Sequence, residues 1–158
     1  MKKAGSLTSG KKKTNPQKIA DRIFSRYIRL RDSTYRNGSW HGKCITCSKK
    51  GVIAYYDENK VLRFVRGWDA GHFISRGNLY LRYDEENVNL QCSYHCNKMK
   101  SGNIEKYRGA LDDKYGSGTW KKLTNTAEEN KDHRLLKADY EETIHDSTEM
   151  FNFIIRNP

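Results

Sequence analysis

The chain has 158 residues, 30 Lys/Arg against 19 Asp/Glu, a net charge of +11 and only 35% hydrophobic residues. That length suits a single core, while ten Tyr, five Phe and three Trp exclude disorder over most of it. No apolar run reaches the roughly 18 residues of a membrane span, and no apolar signal core follows the lysine-rich head, so a cytoplasmic protein without a membrane partner is expected. Residues 1–36 hold 11 Lys/Arg and 2 Asp/Glu, residues 37–110 hold 12 and 7, and residues 111–158 hold 7 and 10. The basic excess lies in the first two thirds, a distribution that suits a polyphosphate partner, with a generic solubility charge as the alternative.

In chain order, residues 1–14 form a Gly/Ser/Lys/Thr tail expected to be disordered, and residues 15–158 are expected to form one domain. Asn15-Pro16 can cap and start a helix running to Arg31, with Ile19, Ile23, Phe24, Tyr27, Ile28 and Leu30 at helical spacing. After Asn37-Gly38 short β-like pieces begin. Cys44–Cys47 reads as a knuckle, while Val52–Tyr56 and Val61–Trp68 read as strands joined by a turn at Asp57-Glu58-Asn59-Lys60. His72 falls at the end of the second strand or just past it. A loop spans Arg76–Glu86, and a turn enters a short helix between Cys92 and Met99. Asn103 is expected to cap a helix from Ile104 to Tyr115, stopped by Gly116-Ser117-Gly118. Helices over Trp120–Glu129 and about His133–Ile155 complete the chain, the last burying Leu136, Tyr140, Ile144, Phe151 and Ile155.

Cys44 and Cys47 have the C-x2-C spacing that brings two thiolates to one tetrahedral ion. Their partners are Cys92 and Cys96, with His95 as a competitor for the fourth position; the ion expected is a structural Zn²⁺ without an open coordination site. His72, Asn87 and Asn97 follow one another at intervals of 15 and 10 residues. In an HNH arrangement the histidine is the general base toward water, the middle asparagine braces its loop, and the last residue holds a divalent cation, Mg²⁺ or Mn²⁺. Asp69 is a second candidate ligand for that cation. In a regular strand Asp69 and His72 face opposite ways, so a shared site is expected to need a bulge or bend at Gly71. Arg63, Arg66, Arg76, Lys98 and Lys100 are candidate DNA phosphate contacts. Trp68 and Tyr94 can stack on unpaired bases, but their place beside a small core favours packing inside.

The stretch Trp68-Asp69-Ala70-Gly71-His72-Phe73-Ile74-Ser75-Arg76-Gly77, with Leu81-Arg82-Tyr83, Glu86-Asn87-Val88, Gln91-Cys92, Cys96-Asn97, Lys100-Ser101-Gly102-Asn103 and Tyr107-Arg108, resembles the NinG (Rap) family of phage recombination proteins. The similarity extends from about Ile23 to about Gly118. It departs from the family at Cys92-Ser93-Tyr94-His95-Cys96, one residue longer than C-x2-C, and in the lysine-rich head, where members commonly carry a cysteine-bearing segment. The resemblance implies an α+β fold with a zinc-stapled HNH-like ββα-metal core flanked by N- and C-terminal helices. It also implies a host-cell location and hydrolysis of branched DNA, such as Holliday junctions and D-loops, to 5′-phosphate and 3′-hydroxyl ends. A homodimer would suit two-fold junctions. The rival readings are a non-catalytic zinc module that binds DNA or a partner, and a sequence-specific homing or restriction-type HNH enzyme.

Overall fold

Asn15 sets the first helix: its side chain accepts a hydrogen bond from the Gln17 N–H at 2.9 Å, and Pro16 sits where no intrahelical N–H is needed. The computed structural model describes residues 15–158, so the lysine-rich tail lies outside the described residues. Helix α1, Pro16–Arg31, buries Ala20, Phe24, Tyr27, Ile28 and Leu30, with Ile19 and Ile23 at the half-buried margin of the stripe.

Strands β1 (Ser33–Arg36) and β2 (Ser39–Lys43) form a hairpin that the sequence reading missed. Its two-residue turn puts Asn37 at φ 48° and Gly38 at φ 80°, the paired left-handed conformations that Asn-Gly adopts cheaply. Strands β3 (Lys50–Tyr56) and β4 (Leu62–Phe64) extend the same antiparallel sheet in the order β1-β2-β3-β4. The expected strand over residues 61–68 is not continuous. Gly67 at φ +95° breaks the extended path after Phe64, and Trp68 opens a new strand, β5 (Trp68–His72). This strand pairs antiparallel with β6 (Val88–Cys92) in a separate two-stranded sheet, from Trp68↔Cys92 to His72↔Val88.

A π-helical turn, Ser93–Lys98, follows β6, with the Met99 N–H donating to the Tyr94 carbonyl at 2.9 Å. Helices α2 (Ile104–Tyr115), α3 (Thr119–Glu129) and α4 (Lys137–Arg156) end the chain. The fold is therefore mixed α+β. Two details differ from expectation. Asn103 precedes α2 in a left-handed conformation and its side chain does not cap the helix; its amide donates instead to Cys96 Sγ at 3.8 Å. Leu136 lies just before α4 and is 69% exposed, and the rest of the expected stripe, Tyr140, Ile144, Phe151 and Ile155, is half-buried, Ser147 being the one buried residue of the helix.

Trp40, Ile53, Trp68 and Leu90 join the two sheets in one core cluster, while Phe24, Tyr27, Ile28 and Val88 tie α1 to β6, with α4 covering both through Phe151 and Ile154. All five residues of β6 are buried, so its polar side chains need internal partners. Asn89 Oδ1 accepts from Lys114 Nζ and from the Tyr115 hydroxyl, both at 2.7 Å, and Gln91 Nε2 donates to the Gly102 carbonyl at 2.6 Å. Where α1 ends, Arg31 donates to the Val88 carbonyl at 2.9 Å and Asp32 accepts the Leu90 N–H at 2.8 Å. These charge-assisted bonds fix the helix against β6, and hence against β5, where the candidate site lies. No helix among the described residues is long and apolar enough to cross a membrane.

Candidate functional site

Cys44 and Cys47 sit in the turn after β2, Cys92 ends β6, and Cys96 lies in the π-helical turn, so the four thiols meet where the two sheets join. Their sulfurs lie within 4.8 Å of one another, and Cys47 Sγ is 3.7 Å from Cys92 Sγ. A tetrahedron with Zn–S bonds of about 2.3 Å has edges of about 3.8 Å, so the cluster can hold a metal ion such as zinc. His95 is exposed and outside the cluster, which resolves the fourth position in favour of Cys96. Two of the sulfurs accept hydrogen bonds, Cys44 Sγ from the Cys92 N–H at 3.4 Å and Cys96 Sγ from the Asn103 amide, whereas burial pushes the Cys47 and Cys92 thiols up. Burial pushes the Cys44 thiol up, yet hydrogen bonds from the Thr46 hydroxyl and nearby backbone N–H groups outweigh it and bring it down to about 7.

His72, Asp69 and Asn97 all line one cavity of about 480 Å³ between α1, β5, the loop over residues 75–83 and the π-helical turn. The cavity takes Asp69, Ala70 and His72 from β5 and nothing from β6, so it runs along the unpaired edge of the strand. That placement explains how Asp69 and His72 share a site although the β5–β6 register runs without a bulge. Asn97 Nδ2 donates to Asp69 Oδ2 at 2.9 Å, leaving Asp69 Oδ1 and Asn97 Oδ1 without hydrogen-bond partners among the described residues. These two oxygens are hard donors of the kind that hold Mg²⁺ or Mn²⁺ together with water. His72 Nε2 lies 3.0 Å from the Arg82 carbonyl, a contact that requires Nε2–H to donate and leaves Nδ1 with its lone pair free. Burial, aided by the Arg76 and Arg82 charges, draws the imidazole down to about 4. It is therefore neutral at pH 7 and able to accept a proton.

Asn87 is fully buried behind His72. Its Oδ1 accepts the Ile74 N–H at 2.7 Å, and its Nδ2 donates to the Ile74 and Leu81 carbonyls at 3.0 and 2.9 Å. The segment after His72 is thus pinned to the loop that carries Arg82. Asn87→Ala strands three backbone groups and is expected to cost about 2–4 kcal/mol. Its urea midpoint should fall with an unchanged slope, and an unmoved midpoint would contradict this bracing. Gly71 has a packing reason of its own: a Cβ there would collide with the Gln91 side chain from β6.

Of the basic candidates, Arg76 and Lys98 line the cavity, whereas Arg63, Arg66 and Lys100 do not. Arg63 is on β4 and pairs with Asp57 at 2.7 Å; Arg66 and Lys100 are exposed in turns. Trp68 is packed inside as expected, but Tyr94 is 71% exposed. The sequence reading missed Asp21, Arg82 and Tyr83 on the cavity wall. Arg82 donates to both Asp21 oxygens at 2.9 and 2.7 Å, and the Tyr83 hydroxyl donates to Asp21 Oδ1 at 2.9 Å. Burial would raise the Asp21 carboxyl, but these two partners hold it below the usual range. The pair anchors the residue whose carbonyl orients His72. It joins positions 61 residues apart, which no local pattern reveals.

Fold and site together define a mixed α+β protein with a four-cysteine cluster beside a basic, histidine-bearing cavity. The family model of the bacteriophage Lambda NinG protein matches residues 3–151, and the chain belongs to the NinG family. It is 33% identical over 87 residues to protein ninG of Salmonella phage P22 and 30% identical over 84 residues to that of Escherichia phage lambda, each alignment covering 50% of this chain and 41% of the relative. To protein ninG of Enterobacteria phage H19B it is 44% identical over 50 residues, 31% of this chain and 24% of that protein. The chain thus spans about two fifths of the first two relatives' length. No solved structure matches it.

Proposed function

We propose that the chain is a metal-dependent DNA endonuclease of the HNH type that acts on branched intermediates of phage DNA recombination. The observation that carries this reading is the convergence of a neutral His72, its Nδ1 free, with the Asp69–Asn97 pair in one cavity flanked by Arg76 and Lys98. The element order supports it too: β5, β6 and the π-helical turn succeed one another as the parts of a ββα-metal unit do, with His72 on the first strand and Asn97 on the helical part.

In this reading Arg76 and Lys98 hold the phosphates on either side of the cut. His72 Nδ1 takes a proton from water as the water oxygen attacks phosphorus; the P–O3′ bond breaks with its electron pair on O3′, which takes a proton from solvent, leaving 5′-phosphate and 3′-hydroxyl ends. Asn87 and the Asp21–Arg82 pair keep the ring in place by fixing the two backbone segments that flank it. A Mg²⁺ or Mn²⁺ ion held by Asp69 and the Asn97 amide oxygen would stabilise charge on the scissile phosphate and on the leaving oxygen. A Zn²⁺ in the cysteine cluster would be structural, clamping the β2 turn to the end of β6.

Nicking of plain plasmid, a four-way junction and a fork, each with and without added Mg²⁺, tests the reading. Preference for the branched substrates supports it. Binding without cutting favours a non-catalytic zinc module, and cutting at one plasmid sequence favours a homing or restriction-type enzyme. Asn97→Ala should raise the Mg²⁺ concentration for half-maximal cleavage and lower the maximal rate, with zinc retained, because the ion is held less tightly and placed less well. An unshifted midpoint with an unchanged rate would remove Asn97 from the site.

A further inference from the structure

The outer face of the four-stranded sheet concentrates positive charge that the cavity chemistry does not use. In the β2–β3 ladder Lys43 stands directly opposite Lys50, and Gly42 opposite Gly51. Strand alternation places His41 on the same side as Lys43, and the β1–β2 pairing of Thr34 with His41 brings Thr34 and Arg36 to that side as well. Arg36, His41, Lys43 and Lys50 line a shallow groove of about 340 Å³. The reverse side is the packed one: a Cβ on Gly51 would lie 2.8 Å from Trp68 Cζ2, and one on Gly42 would meet Ile53 Cγ1 at 2.9 Å.

Arg36, Lys43 and Lys50 are exposed, and none forms an ion pair among the described residues. Among the described residues Asp32 is the one carboxylate lining the groove, and it is already engaged by Arg31 at 2.9 Å, Lys114 at 2.7 Å and the Leu90 N–H at 2.8 Å. Like charges directly opposite each other weaken an antiparallel ladder, so Lys43 and Lys50 work against the sheet that carries them. A polyanion lying across the pair reverses that sign.

We propose that this face is a second DNA-binding surface, which grips the backbone phosphates of a duplex arm through Lys43, Lys50 and Arg36 and shares no residue with the cavity. Recognition there is independent of base sequence, since ammonium and guanidinium groups on a flat strand surface read phosphate charge rather than base edges. The choice of DNA as the polyanion rests on the nuclease reading above, but the test measures binding and needs no cleavage.

The full chain, with EDTA added after zinc loading and its zinc content confirmed, is titrated into a labelled four-way junction over a range of salt concentrations. The Lys43→Gln/Lys50→Gln variant should bind roughly tenfold more weakly near 0.15 M salt, and the slope of log K against log salt should become shallower by about 1.8, about 0.9 for each phosphate that is no longer neutralised. Lys43→Arg/Lys50→Arg should keep the wild-type slope. Lys131→Gln/Lys137→Gln, which removes the same charge from exposed positions after α3 and at the start of α4, should change it much less. The melting temperature of the Lys43→Gln/Lys50→Gln variant should match or exceed that of wild type, because the cross-strand repulsion is gone. Wild-type affinity and slope in that variant, or an equal shift in the Lys131/Lys137 control, would overturn the proposal. A shift confined to Lys43/Lys50 in a protein that never cuts DNA would uphold the surface and refute the nuclease reading.

Discussion

His72→Ala is expected to lower DNA cleavage by on the order of 10² or more while zinc content, melting temperature and DNA affinity stay near wild type. The ring contributes one hydrogen bond to the Arg82 carbonyl, and the buried packing behind it is supplied by Asn87 and the Asp21–Arg82 pair, so the fold does not depend on it. Cleavage near the wild-type rate would end its assignment as the base. The same residue predicts a pH dependence. Its pKa is about 4 in the folded chain against an ordinary 6.5, so a rate limited by the neutral imidazole persists at pH 6 and falls only as pH approaches 4. Stability follows the same window with a definite sign. Below about pH 6.5 the unfolded chain binds the proton first, so His72 leaves stability unaffected above that pH and lowers it progressively as pH falls toward 4.

Cys44→Ser is expected to release the metal and lower the melting temperature markedly, on the order of 10 °C or more, because four-thiolate binding is folding free energy in a chain with so modest an apolar content. The four sulfurs hold the turn after β2 against the end of β6, and Trp40, Trp68 and Leu90 belong to the same core cluster. Losing an ion bound there would therefore loosen both sheets and, through β5, the cavity edge that carries Asp69 and His72. Metal analysis and thermal melting on one preparation check this. A zinc-free wild type, together with an unchanged melting temperature in the variant, would contradict it.

The strongly patterned parts of the fold were legible in the sequence. Pro16–Arg31 follows from a cap, a proline and a 3.6-residue stripe, and both its ends agree with the reading. The cysteine set followed from spacing, and geometry chose Cys96 over His95. What was illegible lay in β6 and in polar contacts over long sequence separations. Val88–Cys92 alternates apolar and polar residues as a half-exposed strand does, yet it is buried on both faces, and the burial of Asn89 and Gln91 depends on Arg31, Lys114, Tyr115 and Gly102, which arrive from elsewhere. The Asp21–Arg82 pair has no periodic signature at all. The strand break at Gly67 was readable in principle, but Val65 and Trp68 on either side carried the apolar pattern across it.

The most direct measurement is cleavage of an end-labelled four-way junction by zinc-loaded protein, first with free divalent cations chelated and then with Mg²⁺ restored. No product is expected in the first condition, and product with 5′-phosphate and 3′-hydroxyl ends is expected in the second. No product at any Mg²⁺ or Mn²⁺ concentration, from protein that carries zinc, melts cooperatively and binds the junction, would contradict it.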